Sequence, residues 1–229
     1  MKISTYHKNK GDDVDWFDPL IDFADTDAPV ITKLDVDFRN FGYQLFIIDS
    51  GADHAGMTDE YAAVPGELKQ LSALFGKKVL REVPEEEFFA RLPELRHQVP
   101  DRAILRAIHF FEENKRVDFQ KSTLREGNLE DYFAAVKASG KSSFCYLQNV
   151  YTTKNVAEQG LSLALSLCDN LLSDRLAAFR VHGGGFAGTI QAWVPADAVD
   201  TFITTMDAVF GRGAAVDLRV RPVGAARIL

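Results

Sequence analysis

The stretch Arg180-Val181-His182-Gly183-Gly184-Gly185-Phe186-Ala187-Gly188-Thr189-Ile190 organises the reading of this chain. Apolar residues alternate on both sides of it, Phe179 and Val181 before the glycines and Ile190, Ala192 and Val194 after them. A period of two marks a strand with one buried face, so the run reads as strand, glycine loop, strand. A tight hairpin turn needs only one or two glycines. Those at 183, 184, 185 and 188 exceed that need and let the backbone take positive φ and approach another group closely. A generous β-hairpin is the plainer reading of the same residues.

Downstream, Val199, Phe202, Ile203, Met206 and Phe210 recur at helical spacing and stop at Gly211-Arg212-Gly213. Val216, Leu218 and Val220 then alternate with Asp217, Arg219 and Arg221 and predict a last strand. Upstream, Leu161, Ala164, Leu165, Cys168 and Leu172 predict a core helix. Before it, Asn128 caps a helix whose Leu129, Tyr132, Phe133 and Val136 face inward. Two more apolar stripes run through Ile104, Ala107, Ile108 and Phe111, and through Leu68, Leu71, Leu74 and Phe75. Pro84-Glu85-Glu86-Glu87 opens another helix as a solvated start, with carboxylates where the helix dipole favours them.

Further back, Val30, Thr32, Leu34, Val36 and Phe38 alternate with Ile31, Lys33, Asp35 and Asp37, turn at Arg39-Asn40-Phe41-Gly42, and lead into Tyr43 to Asp49. This predicts a β-hairpin over 28–50, ending in the apolar strand Leu45-Phe46-Ile47-Ile48. Residues 1–27 are polar and acidic and read as a poorly anchored leader. The order strand, helices, strand, strand, helix, strand specifies an α+β fold. The sheet is expected to be antiparallel with helices packed on one face, a split β-α-β with additional inserted helices.

A length of 229 residues allows one large domain or two small ones, and 46% hydrophobic residues are enough for a core. A net charge of −7 with scattered Lys and Arg argues against a nucleic-acid partner. The chain has no apolar run near the ~18 residues of a membrane span, and Met1 to His7 lacks the apolar core of a signal peptide. Cys145 and Cys168 lie in apolar stretches without metal-ligand spacing. They read as buried reduced thiols of a cytoplasmic protein.

A second stretch carries candidate chemistry. Ile47-Ile48-Asp49-Ser50-Gly51-Ala52-Asp53-His54 leads into Thr58-Asp59-Glu60-Tyr61. The Tyr61 phenol can hydrogen-bond a hydroxyl, or serve as an aromatic that covers the core at a helix start. Asp53 can border a cleft or satisfy loop amides. Asp49, Asp53 and His54, with His182, would suit a metal-assisted hydrolase. They lack a second spaced ligand pair, and no metal site is assigned. His109, between Ile108 and Phe110, reads as a satisfied core histidine.

The two stretches together carry a resemblance. Arg180 to Thr189 resembles the third signature motif of the GHMP small-molecule kinases, in galactokinases Arg-Met-Thr-Gly-Gly-Gly-Phe-Gly-Gly-Cys. The departures are His182 for Thr, Ala187 for Gly and Thr189 for Cys. Asp49 to Tyr61 is similar to the galactokinase strand ending in Asp-Thr or Asn-Ser, followed by His and then Ser-Ser-Glu-Tyr or Thr-Asp-Asp-Tyr. The likeness covers residues 28–229. Nothing in the chain matches the galactokinase sugar-recognition motif, the Gly-Leu-Ser-Ser-Ser ATP loop or the Met-Asp-Gln segment that holds the catalytic Asp. Gln159-Gly160-Leu161-Ser162 matches the ATP loop in part, but lacks the serine run and continues at helical spacing.

The chain therefore resembles the C-terminal half of a galactokinase. The resemblance implies a ferredoxin-like C-terminal domain over 51–229, with the 28–50 hairpin at the junction with the missing N-terminal half. It implies ATP-dependent phosphorylation of the anomeric hydroxyl of galactose or a related sugar, with ATP and Mg2+ bound in the intact enzyme. It places Tyr61 and Asp53 at the sugar and Gly183, Gly184 and Gly185 along the cleft. It assigns no catalytic residue to this chain, which is expected to be inactive alone and to self-associate through the exposed hairpin edge. The alternative is a free-standing ferredoxin-like module that binds a sugar or metabolite without catalysis.

Overall fold

Strand β1, Tyr43–Asp49, is the centre of the sheet. The computed structural model of the chain describes residues 34, 36–52 and 56–219. Three further strands, β2 (Ala178–Val181), β3 (Thr189–Pro195) and β4 (Ala215–Leu218), join β1 in the order β2-β3-β1-β4. Every neighbouring pair is antiparallel, with Ile48 opposite both Ile190 and Ala215 and Val181 opposite Ile190. This is the ferredoxin-like split β-α-β arrangement that the element order predicts.

The hairpin expected over 28–50 requires correction. Both edges of β1 are occupied, by β3 and β4. Among the described residues, Val36 and Asp37 are not in a strand, and Phe38–Phe41 forms a turn of 3-10 helix closed by Gly42 at φ 80°. The alternation at Phe38 serves burial rather than pairing: its ring stacks on Tyr132 and meets Trp193 edge-on. The outer strand of that hairpin, through whose edge self-association is expected, falls largely on residues outside the described ones. Residues 1–33 lie outside the described residues, as does Val220 of the predicted last strand.

Seven α-helices occur among the described residues. They are α1 (Thr58–Ala73), α2 (Glu85–Ala90), α3 (Leu92–Leu95), α4 (Asp101–Arg125), α5 (Leu129–Ser142), α6 (Gly160–Leu172) and α7 (Val199–Phe210). Asn128 caps α5 as predicted, its side chain accepting from the Asp131 amide at 3.2 Å. The sheet alternation sorts the core into two layers. Phe46, Ile48, Val181, Ile190, Ala192 and Val194 face Leu161, Ala164 and Cys168 of α6 and Phe202 and Met206 of α7. Leu45, Ala178 and Trp193 point the opposite way, onto Leu129, Tyr132, Phe133 and Val136 of α5.

Helices thus cover both faces: α6 and α7 form the expected layer, and the inserted α5 takes the other side. Gly140 inside α5 makes this possible, since a Cβ there would lie 3.0 Å from Arg180 Cβ and 3.2 Å from the Phe179 carbonyl. A third cluster, built from Leu71, Phe88, Leu95, Ala107 and Phe111, binds α1 to α4 into a separate helical layer.

Ionic groups anchor that layer. Arg106 is 1% exposed and donates from Nη1 to Glu67 Oε2 at 2.8 Å and from Nε to the Leu147 carbonyl at 3.1 Å. Arg102 pairs with the other oxygen of Glu67. Burial pulls the Arg106 guanidinium's pKa down and Glu67 offsets part of the effect. The cysteine expectation is half met. Cys168 is buried, and burial pushes its thiol up, but Cys145 is exposed on the π-helical turn Ser143–Leu147. No helix among the described residues is long and apolar enough to cross a membrane.

Candidate functional site

The glycine loop joins β2 to β3, and its ends are fixed by the sheet: the His182 amide donates to the Thr189 carbonyl at 3.0 Å. Gly183, Gly185 and Gly188 have φ of 71°, 77° and 86°, a region L side chains rarely adopt. Gly184 does not have positive φ. Its requirement is steric, because a Cβ there would lie 2.7 Å from Tyr61 Cε1. Phe186 takes φ 61° although it is not glycine, while Ala187 has no positive φ.

Tyr61 stands in the first turn of α1 and packs on this loop. Its hydroxyl donates to the Gly185 carbonyl at 2.7 Å, and its ring meets Phe186 edge-on with centroids 5.4 Å apart. Burial raises the phenol above its ordinary pKa. Two motifs that the sequence separates by 124 residues are thus one contact in the fold.

Neighbouring residues of α1 grip a second segment. Glu60 accepts from Thr152 Oγ1 at 2.6 Å, both groups being buried, and Asp59 pairs with Lys154 Nζ at 2.9 Å. The segment so held carries Asn149 under the glycine loop. Asn149 Nδ2 donates to the Gly184 carbonyl at 3.1 Å, and the Asn149 carbonyl accepts from the Phe186 amide at 2.5 Å. Below the strand exit, the Ser50 amide and hydroxyl both donate to the Gly188 carbonyl, at 2.9 and 2.6 Å.

The other sequence candidates fall out differently. Asp53 and His54 lie outside the described residues. Asp49 Oδ1 accepts from the Gly51 amide at 2.9 Å within its own turn, and His182 Nδ1 donates across to Gln191 Oε1 of β3 at 2.9 Å. Among the described residues no group of three His, Cys, Asp or Glu side chains is placed to hold a metal ion. His109 is the core histidine expected. Its Nδ1 is in hydrogen-bond contact with Ser142 Oγ at 2.9 Å, and that oxygen also accepts from Arg116 Nη2 at 2.9 Å. Burial lowers the imidazole's pKa to about 4.

Arg180, the first residue of the glycine motif, points away from the loop. It reaches the sheet's α5 face, where it bonds Ser139 and lies 3.3 Å from Glu113 Oε1. Sequence reading missed Asn149 and this network, since both depend on contacts across 35 to 67 residues. Gly140 was the available signal, because a glycine inside a helix gives up about 1 kcal/mol against Ala without a packing reason.

No protein-family model matches the chain. The galactokinase of Glaesserella parasuis is 29% identical over 159 residues, 69% of this chain and 39% of the relative. That of Haemophilus influenzae is 30% identical over 157 residues, 69% of this chain and 38% of the relative. The chain thus spans about two fifths of the length of the curated relatives it matches. The crystal structure of Lactococcus lactis galactokinase complexed with galactose superposes with a TM-score of 0.57 at 23% identity, covering 80% of this chain and 44% of that one. Sequence and fold agree that the chain is a relative of the galactokinases, matching the C-terminal part of that family of GHMP small-molecule kinases.

Proposed function

We infer that this chain supplies the C-terminal wall of an ATP-dependent sugar 1-kinase that acts on galactose or a related sugar. The observation that carries the reading is the Tyr61–glycine-loop contact, which unites two galactokinase motifs in one place. Phosphoryl transfer depends on positioning and charge neutralisation more than on covalent chemistry from the protein. The part supplied here is positional. Gly183, Gly184 and Gly185 form a wall with no side chain to intrude on the cleft. Tyr61, its one proton committed to Gly185, acts towards a sugar hydroxyl as an acceptor and packs its ring beside it. Asp53, which follows β1 in sequence, is the second sugar contact in this reading.

ATP and Mg2+ would be held by the remaining part of the enzyme. The described residues include no metal-holding group and the chain has no phosphate loop. That part would also bring the Asp that assists the attacking hydroxyl. The chain alone is therefore inactive, and the complete enzyme is cytoplasmic.

The test joins the N-terminal part of the H. influenzae galactokinase ahead of Ala28 and measures galactose-dependent ADP release. The chimera should turn over and the purified chain should not. A folded chimera without galactose-dependent ADP release, or turnover by the chain alone, overturns the reading.

A further inference from the structure

We propose that Asn149 is a positioning residue that holds the glycine loop in the shape the phosphoryl-transfer cleft requires; for its catalytic consequence this rests on the kinase reading above. Asn149 grips the loop at two points, Gly184 and Phe186. Its side-chain amide holds the Gly184 carbonyl at 3.1 Å and its own carbonyl holds the Phe186 amide at 2.5 Å. Between them, Gly185 lies so close that a Cβ would be 1.9 Å from the Asn149 carbonyl oxygen and 2.7 Å from Nδ2. With Tyr61 holding the Gly185 carbonyl, the carbonyls of Gly184 and Gly185 are both tied to protein groups.

Two independent features mark this as a built grip. The first is backbone strain. Among the described residues, two that are not glycine have positive φ, Gln148 at 56° and Phe186 at 61°. One directly precedes Asn149 and the other donates to it. Sparsely populated backbone persists where surrounding structure over-determines it, and it gathers at functional sites.

The second is an unsatisfied amide oxygen. Asn149 is 3% exposed, and Oδ1 is buried with no partner among the described residues. Turning the amide over would set Oδ1 against the Gly184 carbonyl, so the bond to the loop dictates the orientation that leaves Oδ1 unpaired. A buried acceptor without a partner is destabilising. The amide is therefore a poor choice for stability and a good one for fixing the loop.

The test uses Asn149→Ala in the chain, followed by native-state amide hydrogen exchange and thermal melting. The variant removes the side-chain bond to the Gly184 carbonyl and keeps the backbone bond to Phe186, so the Phe186 amide reports on the loop and should exchange about tenfold faster as the loop loosens by the worth of one hydrogen bond. Amides of β2 and β3 should be unchanged, and Tm should hold or rise because the unpaired oxygen is gone. Asn149→Asp, nearly isosteric but with an oxygen facing the Gly184 carbonyl, should loosen the same loop. In the galactokinase chimera, Asn149→Ala should lower kcat about tenfold with KM for galactose kept, the pattern of misplaced reacting groups.

Unchanged Phe186 exchange overturns the grip. So does faster exchange spread evenly over the sheet with a falling Tm, which is a structural role alone. A loosened loop with normal kcat overturns the catalytic consequence. An unsubstituted chimera that is folded but inert counts against the kinase reading, and the exchange result then decides Asn149's hold on the loop by itself.

Discussion

Gly184 lies against the ring of Tyr61 so closely that a Cβ on the glycine would sit 2.7 Å from Cε1 and 3.2 Å from Cδ1. The ring cannot retreat freely, because its hydroxyl is bonded to Gly185 and it packs perpendicular to the Phe186 ring with centroids 5.4 Å apart. Gly184→Ala should therefore destabilise the chain by about 1–3 kcal/mol, the usual range for overpacking. In a Tyr61→Ala background, less than half of that loss should remain, since contacting residues couple. Urea denaturation of the two single variants and the double variant measures the cycle; additive losses would show that the ring is not the obstacle.

The three consecutive glycines should rank by physical cause. Gly183 has open space around a Cβ but a φ of 71°, so Gly183→Ala should cost about 1–2 kcal/mol of left-handed strain. Gly185 combines φ 77° with a backbone oxygen 1.9 Å from any Cβ, so Gly185→Ala should be the worst, about 3 kcal/mol or more. Urea midpoints that place Gly183→Ala below Gly185→Ala would contradict this order.

Arg106 is the buried cation most dependent on its geometry, serving Glu67 and the Leu147 carbonyl at once. Arg106→Ala should cost about 1–3 kcal/mol, because Glu67 Oε2 and the Leu147 carbonyl lose their donor while Arg102 still neutralises the carboxylate. Arg106→Lys should recover less than half of it, since a compact ammonium does not reproduce the planar fork. Thermal melting of both variants is the check.

Acid should act through His109. Its folded pKa of about 4 lies below the ordinary 6.5, so the unfolded chain binds the proton first and stability falls as pH drops below 6.5. The loss should reach about 2 kcal/mol at pH 5 and level off below pH 4. Glu113, Arg116 and Arg180 face this imidazole, and burial outweighs the Glu113 attraction. The Glu113 carboxyl is itself held below its usual range, so its contribution is lost only at lower pH. His109→Gln should remove the part of the dependence between pH 6.5 and 5; an unchanged pH profile would assign the loss elsewhere.

Local pattern determined most of the helices and strands of this chain, Phe38–Phe41 being the exception. The alternation around Phe179–Val181 and Ile190–Val194 marks β2 and β3, the Leu161–Leu172 stripe marks α6, and Asn128 marks the start of α5. These signals rest on periods of two and 3.6 residues and on caps, all of which act within a few positions.

Tertiary structure decided who pairs with whom. A strand's period does not say which edges are taken, so β1 could be read as half of a hairpin although β3 and β4 flank it. Nor does it say which face an inserted helix covers, so α5 on the second face follows from Gly140 and Arg180 meeting across 40 positions. The site divides in the same way. The glycines and Tyr61 are legible as motifs, while their contact and the Asn149 grip arise only when the fold closes gaps of 124 and 35 residues. Steric fit at Gly184 and Gly185 is a property of two chain segments at once, and no single segment carries it.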